Sequence, residues 1–245
     1  MLVNKILKGV LLLLGVTFIA LQSLVYEIEG DAVSALMMIL LIWLYCKSTE
    51  KPSQLFFWFL LIVTVTQIIS FISWFTPEVR IGEIDYFYYL GNILHIISYI
   101  FLIIKILKQL PLKAVFSEFT ATIIILIVLD VFCVSILSGT TENVLSYSEN
   151  TLEYVYNSVL MILLSFALIN YMYRNDNKSM LFLIGSILIV FSEIIQLAYF
   201  YILYDNSLGF VYSLFLVAAF FFFYIQSQLE FSEPVPAYND EQLKV

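Results

Sequence analysis

Charge is what this sequence has least of. Asp, Glu, Lys and Arg make up 12% of its 245 residues, against about 25% in an average soluble domain, and that shortage excludes a solvated globular surface. The basic residues number 11 and form no cluster, so no nucleic-acid partner is expected. Histidine occurs once, as His95, with no cysteine or carboxylate at ligand spacing beside it, which excludes a multi-histidine metal centre. Cys46 and Cys133 fall at opposite ends of different apolar runs, too far apart for the reach of about 7 Å between Cα atoms that a disulfide allows. No phosphate-binding glycine loop, zinc signature or nucleophile elbow occurs, and Ser192 beside Glu193 is not such an elbow. No metal or cofactor is expected.

What the sequence has is apolar length: 62% of the residues are hydrophobic and the mean hydropathy is +0.98. Runs long enough to cross roughly 30 Å of hydrocarbon fall near 6–25, 32–47, 53–75, 86–106, 114–137, 151–173, 179–203 and 207–228. The expected fold class is therefore all-α, a bundle of eight transmembrane helices over 1–228 followed by a disordered acidic tail over 229–245. The runs are continuous rather than alternating, unlike barrel strands. The second is short enough to call for locally thinned bilayer. Lys5 and Lys8 read as flanks of a first span rather than of a removed signal, because 20–22 is a poor cleavage site. Of the basic residues only Arg80 falls on one side; Lys5, Lys8, Lys47, Lys51, Lys105, Lys108, Lys113, Arg174, Lys178 and Lys244 share the other. By the positive-inside rule both termini are cytoplasmic, in a multi-pass protein of the bacterial inner membrane.

Against this apolar background a few polar residues stand out. Glu193 lies in the seventh run, where a charged side chain costs roughly 2.5–3.5 kcal/mol to insert and is by default a functional-site candidate. Ser186, Glu193, Gln196 and Phe200 share its helical face. Asp130 is the other acid placed within the hydrocarbon, in the fifth run. The third run carries Thr66, Gln67, Ser70, Ser73 and Trp74, a stripe suited to interhelical hydrogen bonds. Asn92, His95 and Tyr99 follow one another on the fourth. Asn150 with Glu153 reads as a cap opening the sixth, which then presents Tyr154, Ser158, Met161 and Ser165. At a rise of about 1.5 Å per residue, His95 sits near the midplane and Gln67, Asp130, Ser158 and Glu193 roughly 5 Å to its outer side. One shared cavity at that level is the expectation. Glu193 is the candidate general acid, and His95 or Asp130 its base or charge stabiliser.

These motifs resemble those of the lysoplasmalogenase (YhhN-like) family of eight-span membrane proteins. Gly185-Ser186-Ile187-Leu188-Ile189-Val190-Phe191-Ser192-Glu193 is similar to the family's Gly-(Ala/Ser)-x-Leu-x-x-x-Ser-Asp pattern, with Glu for Asp. His95 and Tyr99 are similar to a histidine and tyrosine of the fourth span, the tyrosine one residue late. The family's Gly-Asp near the end of span three has no counterpart in Ser73-Trp74-Phe75-Thr76-Pro77-Glu78, and its Lys-Pro opens span two whereas Lys51-Pro52 follows it. The resemblance implies a divergent lipid-metabolising hydrolase that cleaves the vinyl-ether bond of lysoplasmalogens. Glu193, His95 and Asp130 would be catalytic, and Gln67, Ser70, Asn92, Tyr99, Ser158, Ser192 and Gln196 would line the substrate site. The expected partner is a membrane lipid or lysophospholipid. The alternative reading is a non-catalytic protein that binds a lipid or amphiphile, or a small transporter.

Overall fold

A computed structural model of the chain describes residues 2–77 and 83–230. Glu78, Arg80 and residues 231–245 of the expected tail lie outside the described residues. The helices run in the order α1 (Leu2–Ser23), α2 (Glu27–Ser48), α3 (Gln54–Ser73), α4 (Tyr86–Leu107), α5 (Leu112–Glu118), α6 (Thr120–Thr141), α7 (Tyr147–Arg174), α8 (Asn177–Tyr201) and α9 (Asn206–Ser227). All except α5 are long and apolar enough to cross a membrane, and no strand forms among the described residues.

The helix ends obey local rules more closely than hydropathy alone conveys. Asp85 caps α4 by accepting from the backbone N–H of Phe87 and Tyr88 at 2.9 and 3.0 Å, and Asp176 and Asp205 cap α8 and α9 in the same manner. Three boundaries differ from expectation. The second span is 22 residues long, because Glu27 and Glu29 form the first turn of α2, where acids suit the positive helix end; no thinned bilayer is needed. The expected fifth span is two elements: Phe119, at φ −110° and ψ 22°, breaks the chain between α5 and α6. The cap of α7 is the reciprocal Ser146–Glu149 box, not Asn150–Glu153.

Seven helices pack in a closed ring, α1–α2–α3–α4–α7–α8–α9 and back to α1, while α6 rests on the outside of α7. Ser48 and Tyr224 pair their hydroxyls at 3.0 Å, and Lys51 meets Glu230 at 2.9 Å, which ties the α2–α3 turn to the C-terminal end of α9. At the opposite, acidic end, Tyr199 and Tyr204 donate to Glu27 Oε1 at 2.8 and 3.2 Å. The half of the ring nearer the termini is filled by Phe56, Phe59, Phe220 and Phe223, with Phe59 centroids 5.7, 6.0 and 5.7 Å from the other three. Lys105, in the last turn of α4, is 6% exposed. Its Nζ lies 4.7 Å from the Phe56 ring centre and 5.2 Å from that of Phe182. The half of the ring nearer the acidic end is hollow, and the polar residues are found there.

Candidate functional site

α8 turns Glu193 toward α4, where Tyr99 Oη donates to Glu193 Oε1 at 2.6 Å. Tyr99 is 1% exposed, so neither partner of this bond swings freely. His95, one turn earlier on α4, stacks on Tyr99 with centroids 6.0 Å apart. Tyr156 of α7 presents its edge to both rings at 6.3 and 6.1 Å. His95 Nδ1 is buried without a hydrogen-bond partner.

Glu193, His95 and Tyr156 form one wall of a cavity of about 610 Å3 bounded by α3, α4, α7 and α8. It reaches the α3–α4 connection through Trp74, Thr76, Pro77 and Asp85, and so opens at the acidic end. A second chamber of about 100 Å3 lies behind it among α1, α2, α3, α4, α8 and α9. Thr66, Ser70, His95, Glu193 and Gln196 border both spaces.

Of the residues expected at the site, Glu193, His95, Ser70, Asn92 and Gln196 line the outer cavity, and Gln67 and Tyr99 the inner chamber. Asn92 also donates to Tyr88 O at 2.9 Å, and Gln67 Oε1 accepts from Ser34 Oγ at 3.0 Å. Three expected residues lie elsewhere. Asp130 is on α6, outside the ring, where Ser165 Oγ reaches its two oxygens at 3.0 and 2.8 Å. Ser158 donates back to Tyr154 O at 2.7 Å on a face of α7 that borders neither space. Ser192 points into the α8–α9 contact and donates to Tyr212 O at 2.8 Å. Ser186, on the expected face of Glu193, is fully buried and bonds to Phe182 O at 2.9 Å.

The carboxylate that sequence reasoning missed is Glu153. It is 5% exposed, accepts from Asn157 Nδ2 at 3.2 Å and, more loosely, from Tyr88 Oη at 3.4 Å, and lines the outer cavity. The spacing Glu153, Tyr156, Asn157 is the available signal, since i, i+3 and i+4 share a face. Comparison with protein families, curated proteins and solved structures gives no match. The chemistry of the cavity therefore stands on its own side chains.

Three carboxylates, Asp85, Glu153 and Glu193, and the rings of Trp74, Tyr88, Tyr156, Phe200 and Tyr201 face the outer space, with no Lys or Arg among its described lining residues. Among the described residues no three His, Cys, Asp or Glu side chains gather as metal ligands. The wall can donate a proton from an acid, accept one at an imidazole nitrogen, and stabilise positive charge. Among its described residues there is no Lys or Arg with which to stabilise an oxyanion.

Proposed function

We propose that the chain is a lysoplasmalogenase-like membrane hydrolase that cleaves a vinyl ether in the outer cavity, in a bacterial inner membrane with both termini cytoplasmic. The observation that carries this reading is the placement of Glu193, fixed by Tyr99 and flanked by His95, in the wall of that space. Tyr99 holds Oε1, and Tyr156 also meets this carboxyl; the proton of the acid sits on Oε2. Glu193 passes that proton to the vinyl carbon remote from the ether oxygen, and the C=C pair becomes the new C–H bond. The resulting oxocarbenium ion faces the carboxylate it has just created, and carboxylates, not oxyanion donors, stabilise such a cation. Water then adds at the cationic carbon as the His95 imidazole, which borders the cavity, takes its proton. The hemiacetal collapses to the aldehyde and the glycerol hydroxyl, restoring both groups. Asp130, on the outside of the ring, has no part in these steps.

The test is aldehyde release from lysoplasmalogen by the purified full-length chain. Glu193→Gln should lower the rate at least about 100-fold, the scale of general acid catalysis, while the thermal midpoint stays close to that of the wild type. Release that survives the substitution unchanged removes the acid role. A second reading, binding of a cationic amphiphile without catalysis, is favoured by the absence of any Lys or Arg to meet a lipid phosphate among the described lining residues. Saturable binding of a long-chain trimethylammonium probe with no aldehyde release would select it.

A further inference from the structure

The inner chamber holds a pattern that the hydrolytic steps do not use. Asp31 of α2 accepts from Ser70 Oγ and from Trp74 Nε1, each at 2.8 Å and both at Oδ2. No hydrogen bond among the described residues reaches Oδ1. Gln22, on α1, is 3% exposed and lines the same chamber, and its Oε1 is buried with no partner. Gln67, Ser70, Gln196 and Tyr212 add further oxygens. The titratable groups that face this space are Asp31, Glu193, His95, Tyr99 and Tyr212, and no Lys or Arg is among its described lining residues. Glu27, one turn before Asp31 on α2, adds charge of the same sign. The ion pair between Lys51 and Glu230 is at the far end of the bundle.

We infer that the inner chamber binds a monovalent inorganic cation, with Asp31 Oδ1 and Gln22 Oε1 as protein ligands. A carboxylate inside a membrane bundle needs a partner, and a buried amide oxygen left unpaired is costly. One small cation between them answers both requirements, and oxygen donors suit a hard ion. The charge is one rather than two, because Glu193 keeps its proton in the hydrolase reading, on which this step rests, and Asp31 is then the one anionic group among the chamber's described lining residues. The chamber, at about 100 Å3, has room for the ion with water.

The probe is Na+. Thermal melting of the full-length chain in detergent, with NaCl exchanged for N-methylglucamine chloride at constant ionic strength, should show a saturable rise in midpoint of about 2–4 °C. Asp31→Asn should abolish the rise and Asp130→Asn, on the outside of the ring, should keep it. Direct binding of radioactive Na+ to the wild type should saturate near one ion per chain. That titration, with Gln22→Leu weakening it at least tenfold, decides the matter even where Asp31→Asn fails to fold. Equal midpoints in both salts with no saturable binding would overturn the inference and leave a proton on Asp31. A rise that persists in Asp31→Asn would overturn it as well. None of these readouts uses a lipid substrate, so failure here is separate from failure of the hydrolase reading.

Discussion

Tyr99 decides how Glu193 can work. Its ring is held by His95 and Tyr156, so Tyr99→Phe keeps the ring packing and removes the hydroxyl that reaches Glu193 Oε1 and also meets Tyr156. Aldehyde release should fall about tenfold, the scale of one hydrogen bond to an acid, through kcat with KM nearly unchanged. An unaltered kcat would mean that the bond only braces α4 against α8. Part of this residue-level arrangement is legible in the sequence. Glu193 is conspicuous as an acid amid apolar neighbours, and Asn92, His95 and Tyr99 share a helical face. Asp31 and Glu153 are not conspicuous, because they lie near the ends of their apolar runs and read as members of polar connections. Caps placed Glu153 within the bundle: α7 opens at Tyr147, so Glu153 lies six residues, or about 9 Å, along the helix.

At the scale of elements, close helix contact depends on particular glycines. A Cβ on Gly209 of α9 would stand 2.7 Å from the backbone oxygen of Gln22 on α1, and one on Gly185 of α8 would stand 2.8 Å from the Phe223 ring. A ring can tilt, whereas a backbone oxygen moves only with its helix. Gly209→Ala should therefore destabilise the bundle by roughly 1–3 kcal/mol, as overpacking does. Gly139→Ala, on α6 with nothing within 4 Å, should be neutral or slightly stabilising because Ala favours helix. Thermal midpoints of the two variants check the contrast, and equal effects would contradict the close α1–α9 approach. The existence of eight spanning helices is legible as apolar runs. The break at Phe119 is marked by no glycine or proline, and Glu118 beside it is the signal that apolar length alone overrides. The inward face of α7 carries Glu153, Tyr156 and Asn157 rather than Tyr154 and Ser158, and helical periodicity alone does not say which of two polar stripes points inward.

At the scale of the molecule, the order of helices in the ring is what no run of residues conveys. α6 follows α4 and α5 in the chain, yet α4 packs directly on α7 and α6 stays outside. That alone removes Asp130 from the site, although its depth in the bilayer was compatible with the other polar groups. Orientation is a separate property, and the proposal for it rests on charge: the acidic end holds Glu27, Asp85 and Asp205, while Lys8, Lys47 and Lys51 lie at the opposite end. Cys46, exposed near the end of α2, reports which side that end faces. A membrane-impermeant maleimide should label it in inside-out vesicles and not in intact spheroplasts, with Cys133, half-buried in the middle of α6, unlabelled in both. Asn206→Cys, introduced at the acidic end in a Cys46→Ser background, should give the reverse pattern. With that labelling pattern the outer cavity opens away from the cytoplasm, and the proposed lipid and Na+ would both approach from that side. Labelling of Cys46 from outside would invert the bundle and make the cytoplasmic leaflet the source of whatever the cavity takes.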